Sequence, residues 1–194
     1  MKQNPQDAKS LCKVNINMRQ VDVQMSFVIW MTGLPCSGKT TLARNLQNFI
    51  HNLAILDGDE LREWLSPKDF SMEGRNEHNV KVAHLAKLLV KHNVPVCVSL
   101  VSPYTKNREM ARQIVGNGKF IETYVKSSLS VCESRDVKGM YKKARNNEIK
   151  NFTGISDDYD IPSNPDLIID SENNTVEQCV NQILECLKSK GMVQ

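Results

Sequence analysis

Gly33-Leu34-Pro35-Cys36-Ser37-Gly38-Lys39-Thr40 fits the spacing G-x-x-x-x-G-K-[ST] of a loop that holds nucleotide phosphates. Its surroundings agree. Phe27-Val28-Ile29-Trp30-Met31 is an apolar run closed by a glycine turn, and it reads as a buried strand. Residues 41–50 place Leu42, Leu46, Phe49 and Ile50 at helical spacing. Gly33 and Gly38 let the backbone turn and approach phosphate oxygens with no Cβ in the way. Successive N–H groups of the loop and of the helix start, as far as Thr41, then point at the anion. Lys39 adds a mobile positive charge for the outer phosphates, and the Thr40 hydroxyl is placed to sit on Mg²⁺.

Outward from this loop, strands and helices alternate. Leu53-Ala54-Ile55-Leu56 is a short strand, and residues 73–92 carry Val80, Val82, Ala83, Leu85, Ala86, Leu88 and Leu89 on a long helix. A strand rich in β-branched residues over 94–101, a helix over 105–115, a strand over 120–125 and a short helix over 129–134 follow. Leu167-Ile168-Ile169 is a last strand. Thr175 and Gln178 then form a capping-box pattern ahead of the stripe Val176, Val180, Ile183, Leu184 and Leu187. Alternation of this kind predicts an α/β fold of three layers, a mostly parallel sheet with helices on both faces. The stretch 136–165 is charged, rich in Asn and Asp, without a strong period, and too long for a simple connection; it is expected to be a lid. Residues 1–25 read as a polar arm and 26–190 as one domain.

The chain has 194 residues, enough for one domain with a substantial core. A net charge of +3 gives no argument for nucleic acid or an anionic membrane. No apolar run approaches the roughly 18 residues of a membrane span, and the polar start has no signal-peptide core. The six cysteines, at 12, 36, 97, 132, 179 and 186, form no C-x-x-C pair, so neither a zinc site nor a redox dithiol is expected. Buried free thiols suit a reducing cytoplasm. Cys36, beside a helix N-terminus, is the one thiol whose position favours reactivity.

The second strand ends in Asp57-Gly58-Asp59, at the edge where open α/β sheets bind ligands. One carboxylate there is expected to hold Mg²⁺ through water and one to accept a proton from an attacking hydroxyl. Asp59 is expected to aim inward, with Asp57 or Gly58 turning the chain into a helix. Asp57-Gly58-Asp59-Glu60-Leu61-Arg62, Phe70-Ser71, Arg75, Ser102-Pro103-Tyr104, the block 136–145 (Asp-Val-Lys-Gly-Met-Tyr-Lys-Lys-Ala-Arg) and Ile149-Lys150-Asn151-Phe152-Thr153-Gly154 occur in order. Together with the phosphate loop, they resemble the adenylylsulfate kinase family over roughly residues 26–188.

The resemblance implies a P-loop kinase that transfers the γ-phosphoryl of ATP, with Mg²⁺, to the 3′-hydroxyl of adenosine 5′-phosphosulfate. It implies that Phe70 and Phe152 sandwich the acceptor adenine and that Arg62 and Arg75 hold its phosphosulfate. Ile149, Lys150, Lys142, Asp57 and Ser102 would line the same site, and Arg135 would pack on the adenine of ATP. Lys39 and Asp59 would carry the chemistry, with Thr40 and Asp59 on the metal. Ser102 would line the site, with a covalent phosphoserine role as a further reading. A homodimer is implied, and a functional link to an ATP sulfurylase stays open. Stacking a base between aromatic faces is worth ~1–3 kcal/mol.

The chain departs from this pattern around the acceptor. His78 stands where Arg-x-x-Asn is usual, with Asn79 one step later; one residue is missing before Phe70, where Lys68-Asp69 stands; and Gly74 replaces a usual acid. His78 is expected to serve as a hydrogen-bond donor that titrates near neutral pH. Two other readings compete. Same-fold kinases of capsule synthesis act on conjugates such as cytidine diphosphoramidate but lack the Phe-Thr-Gly kept here at 152–154. A nucleotide-binding regulatory subunit would have no use for two nucleotide sites and a lid.

Overall fold

The computed structural model describes residues 20–65 and 69–194; residues 1–19 of the arm, with Cys12, and Lys68 lie outside the described residues. Five strands, β1 (Val28–Thr32), β2 (Ala54–Asp57), β3 (Val96–Ser99), β4 (Phe120–Lys126) and β5 (Leu167–Asp170), pair in parallel in the order β2-β3-β1-β4-β5. The described helices are α1 (Lys39–Leu46), α2 (Gly58–Trp64), α3 (Met72–Lys91), α4 (Thr105–Val115), α5 (Leu129–Arg135), α6 (Met140–Arg145) and α7 (Val176–Ser189).

The sheet is buried on both faces, which explains why its strands are continuous apolar runs. Ile29, Met31, Cys97, Ile121, Val125 and Ile169 point to one side, where Leu42 and Leu46 of α1 and Val180, Ile183 and Leu187 of α7 meet them. Val28, Trp30, Val96, Val98 and Phe120 point to the other, under Val82, Ala83 and Ala86 of α3 and Ala111 and Val115 of α4. The strands all run the same way, so every β-to-α loop leaves from one edge. The phosphate loop follows central β1 and lies between the exits of β3 and β4.

Three features differ from the sequence reading. The lid is not structureless: α6 lies inside it. Asp136 accepts from the backbone N–H groups of Tyr141 and Lys142, both at 3.0 Å, and so caps the turn. Tyr141 and Ala144 bury themselves against Cys132 and Phe152. Six residues are too few to show a helical period. The expected strand over 94–101 pairs only over Val96–Ser99, and Leu100 and Val101 carry the chain to the site. Lastly, the end of the polar arm is part of the core: Val21 bridges Ile50, and Val23 bridges Val193 near the C-terminus. Thr175 caps α7 with Gln178 in a full capping box, as predicted. Among the described residues no helix is long and apolar enough to cross a membrane.

Candidate functional site

The phosphate loop is shaped by its glycines. A Cβ on Gly33 would lie 2.5 Å from the Val125 carbonyl oxygen, so only glycine lets β1 turn against β4 here. Gly38 caps α1 at φ 98°, a left-handed conformation, and no side chain caps the helix. The first N–H groups of α1 are therefore left for an anion. Lys39 lies across the loop, donating to the carbonyls of Gly33 (2.9 Å) and Leu34 (2.8 Å) and to Ser37 Oγ (3.3 Å). Burial pushes its ammonium down to about 8, against the opposing pull of nearby thiols, Asp59 and Asp57. The loop carbonyls serve as stand-ins for phosphate oxygens.

The loop is braced from three sides. Tyr141 of α6 donates to the Pro35 carbonyl at 3.0 Å, Arg135 to that of Cys36 at 3.4 Å and Ser171 to that of Ser37 at 2.7 Å. Arg135 also donates to the Ser171 carbonyl, which sets its guanidinium at the mouth of the loop beside the exit of β5. Thr41 is exposed on the first turn of α1.

Of the two carboxylates of Asp57-Gly58-Asp59, Asp57 turns the chain into α2 as expected and also takes the inward place expected of Asp59. Asp57 accepts from the Thr40 hydroxyl at 2.7 Å, and its other oxygen accepts from the N–H of Asp59, capping α2. Ser99 Oγ lies 3.2 Å from Thr40 Oγ1. Asp59 does not aim inward beside Thr40: it sits on the first turn of α2, largely exposed, in an ion pair with Lys138 of the lid. Cap geometry explains this, because the residue preceding the helix turns its side chain back over the loop. The Thr40, Asp57 and Ser99 oxygens form a hard donor set that suits Mg²⁺. Among the described residues no three His, Cys, Asp or Glu side chains converge, so phosphates and water would complete such an ion's shell.

On α2 and α3, Arg62 and Arg75 approach the Phe70 ring, with guanidinium carbons 4.7 and 5.6 Å from its centroid. Burial lowers both guanidinium pKa values, and Arg75 lowers that of Arg62 further. Two partly desolvated cations thus stand beside one ring. Arg75 donates to the carbonyls of Phe70 (3.1 Å) and Asn151 (2.7 Å) and lies 3.6 Å from Asp157. It thus bridges the two segments that bear Phe70 and Phe152. The Phe70 ring is part-exposed, whereas Phe152 is buried edge-on against Tyr141, centroids 4.9 Å apart. Ile149 packs on the same cluster, while Lys142 and Lys150 are exposed.

His78 is buried, not an exposed group titrating near neutral pH: burial, then Arg62 and Lys81, push its pKa down to about 4. Asn79 is also buried, four residues from Arg75 and so on the same helix face, and its amide nitrogen has no acceptor among the described residues. The Asp69 and Gly74 departures are one adjustment, since a Cβ on residue 74 would lie 2.5 Å from the Asp69 carboxyl carbon. Ser102 turns its hydroxyl into the core, accepting from Trp30 Nε1 at 3.1 Å, and its backbone has φ 37°. Here it shapes the loop after β3.

The sequence reading gave no role to Tyr104 and Tyr141, which it quoted only within motifs, nor to Asp157 and Ser171. Ser171 follows β5 at the ligand-binding edge, a signal that was open to use. The other three act through contacts distant in sequence.

The family model described as adenylylsulphate kinase matches residues 25–170. An adenylyl-sulfate kinase of Acaryochloris marina is 38% identical over 92% of this chain and 89% of its own length. One of Halothermothrix orenii is 43% identical over 88% of this chain and 94% of its own. The APS kinase of Mycobacterium tuberculosis, solved in complex with AMPPNP and APS, superposes with a TM-score of 0.80 at 34% identity, covering 84% of this chain and 98% of that one. With the family model and these relatives spanning most of the chain, and with the phosphate loop in place, this protein belongs to the adenylylsulfate kinase family.

Proposed function

We infer that this chain transfers the γ-phosphoryl group of ATP to the 3′-hydroxyl of adenosine 5′-phosphosulfate, giving 3′-phosphoadenosine 5′-phosphosulfate and ADP. The observation that carries this is that one segment, 136–160, contacts both the phosphate loop, through Tyr141, and the arginine pair beside Phe70, through Asn151. The phosphate loop carries Lys39, and Arg62 and Arg75 stand beside the Phe70 ring. A phosphoryl donor and an anionic aromatic acceptor suit these two groups of residues.

The chemistry is mainly positioning and charge stabilisation. Lys39 leaves its loop carbonyls for the β- and γ-phosphates. Arg135 packs on the base of ATP. Thr40 and Asp57 would hold Mg²⁺, which supplies charge neutralisation on the phosphate oxygens. The acceptor 3′-oxygen bonds to the γ-phosphorus as the bond to the bridging oxygen breaks, and Asp59 takes the hydroxyl proton. Lys138 holds that carboxylate until the substrates bind. Phe70 and Phe152 flank the acceptor base, with Ile149, Lys142 and Lys150 around it, and Asn79 offers its unclaimed amide one turn below Arg75. The lid keeps water from competing with the 3′-hydroxyl.

Purified protein with Mg²⁺ and ATP should release ADP with adenosine 5′-phosphosulfate at micromolar levels, and not with cytidine diphosphoramidate or plain adenosine nucleotides. Turnover with the cytidine conjugate alone would overturn the acceptor assignment and keep the kinase. We further propose a homodimer, a functional link to an ATP sulfurylase and a cytoplasmic location. The first two rest on the resemblance; the location is supported by five free thiols among the described residues.

A further inference from the structure

The last part of the lid is fastened far more firmly than its middle. Asp160 accepts through its side chain from Thr105 N–H and through its backbone from Arg108, and its own N–H donates to the Pro103 carbonyl. Tyr159 lies 2.9 Å from Thr32 Oγ1. Asp157 sits within this anchored run. Its two carboxylate oxygens are each 2.9 Å from the Tyr104 hydroxyl, which donates to them. Burial, and then this bond to Asp157, push the Tyr104 pKa up to about 12. The hydroxyl therefore remains a donor throughout the working pH range.

The same carboxylate faces Arg75, 3.6 Å from its Nε, with the Asp157 side chain 19% exposed and that of Arg75 9%. Nε and Nη2 of Arg75 are given to the Phe70 and Asn151 carbonyls, and Nη1 has no acceptor among the described residues. Asp157 also closes the turn that holds Phe152: its N–H donates to the Phe152 carbonyl, and its own carbonyl accepts from Gly154 N–H. One residue thus joins a ring-bearing turn, a buried guanidinium and a fixed tyrosine.

We propose that Asp157 is the positioning residue of the acceptor site, resting on the acceptor reading given above. Held by Tyr104, it fixes which edge of the Arg75 guanidinium faces the protein and so leaves Nη1 for the ligand anion. Through its backbone it fixes the height of the Phe152 turn relative to Phe70. It touches neither ATP nor the reacting atoms. A charge partner this buried has leverage because its removal leaves a guanidinium without a counterion.

The test is steady-state kinetics on Asp157→Asn, which keeps an acceptor for Tyr104 but loses the charge, using the acceptor that the parent enzyme phosphorylates. The acceptor KM is expected to rise roughly tenfold or more. The ATP KM should stay within about twofold and kcat within about threefold. In an Arg75→Lys background, the same substitution should add little, since both changes disturb one contact. Asp157→Glu should recover part of the loss. Equal rises in both KM values, or full additivity with Arg75→Lys, would overturn the proposal. If Asp157→Asn fails to fold, Tyr104→Phe decides: a smaller but still acceptor-selective rise supports the positioning role, and unchanged constants reject it. Failure of the acceptor reading shows separately, in the parent's own substrate preference.

Discussion

Lys39 is the residue whose chemistry is most exposed to pH. Burial among loop carbonyls pushes its ammonium down to about 8. Phosphates restore a strong counter-charge and raise that value, so nucleotide binds to the protonated form. The sign follows: affinity is full below pH 8 and falls as pH rises through it, by up to tenfold per unit, until the bound-state pKa is reached. Calorimetry of ADP binding between pH 7 and 10 should show this fall together with proton uptake near pH 8.5. A flat profile with no proton uptake would remove Lys39 from the phosphates. Asp57 and Asp59 separate just as sharply. Asp57, bonded to Thr40, should when changed to Asn raise the Mg²⁺ concentration needed for half-maximal rate by roughly 10–100-fold. Asp59→Asn should instead lower kcat with little change in Mg²⁺ demand, and a raised Mg²⁺ demand in that variant would return Asp59 to the metal role first expected of it. The sequence placed both carboxylates at the right edge but picked Asp59 as the inward one. Which one faces the loop depends on cap geometry, and that is set by where α2 begins.

At the scale of elements, the strands, α1, α3 and α7 were legible because each carries a continuous apolar run or a sustained helical stripe beside a recognisable cap. The phosphate loop was legible because its chemistry is mostly backbone and therefore local. The lid was legible only as a length of charged chain. Its helix is too short for a period, and its function lies in contacts to distant residues, such as Tyr141 to Pro35 and Arg75 to Asn151. His78 failed for the same reason, since its burial comes from neighbours that no local pattern names. The lid itself divides into two parts. Its end, 157–160, is tied to the loop after β3, whereas α6 is held by the Tyr141–Pro35 hydrogen bond, a small apolar cluster and an exposed Arg145–Glu133 pair. Exposed pairs of that kind contribute under about 1 kcal/mol, so opening should be confined to the region before Phe152. Trypsin should therefore cut first among Lys142, Lys143, Arg145 and Lys150, and ATP analogue plus acceptor should slow those cuts severalfold. Equal cutting rates with and without ligands would mean that this segment does not close over them.

At the scale of the whole molecule, the two ends of the described chain close the core beneath α1 and α7. Asp22 and Gln194 exchange backbone hydrogen bonds of 3.2 and 3.0 Å, and the N–H groups of Gln24 and Met25 donate to the Met192 carbonyl. Val21, Met192 and Val193 all join the same apolar cluster as Ile29 and Ile183. This seam meets the chain at Ile50, past the C-terminal end of α1, whereas the phosphate loop leads into the N-terminal end of that helix. Stability and catalysis should then separate. Val193 is 2% exposed, so Val193→Asp buries an unpaired charge. The cost should be about 3 kcal/mol. For a domain of this size, that is a fall in Tm of roughly 6–12 °C. At 20 °C, where the domain remains folded, both KM values should match those of the parent. Gln194→Ala, whose exposed side chain leaves the backbone bonds in place, should leave Tm within about 2 °C of the parent. A Val193→Asp protein that melts with the parent would show that the seam carries no stability. One that melts normally but loses acceptor affinity would tie the chain ends to the cleft, which no contact among the described residues supports.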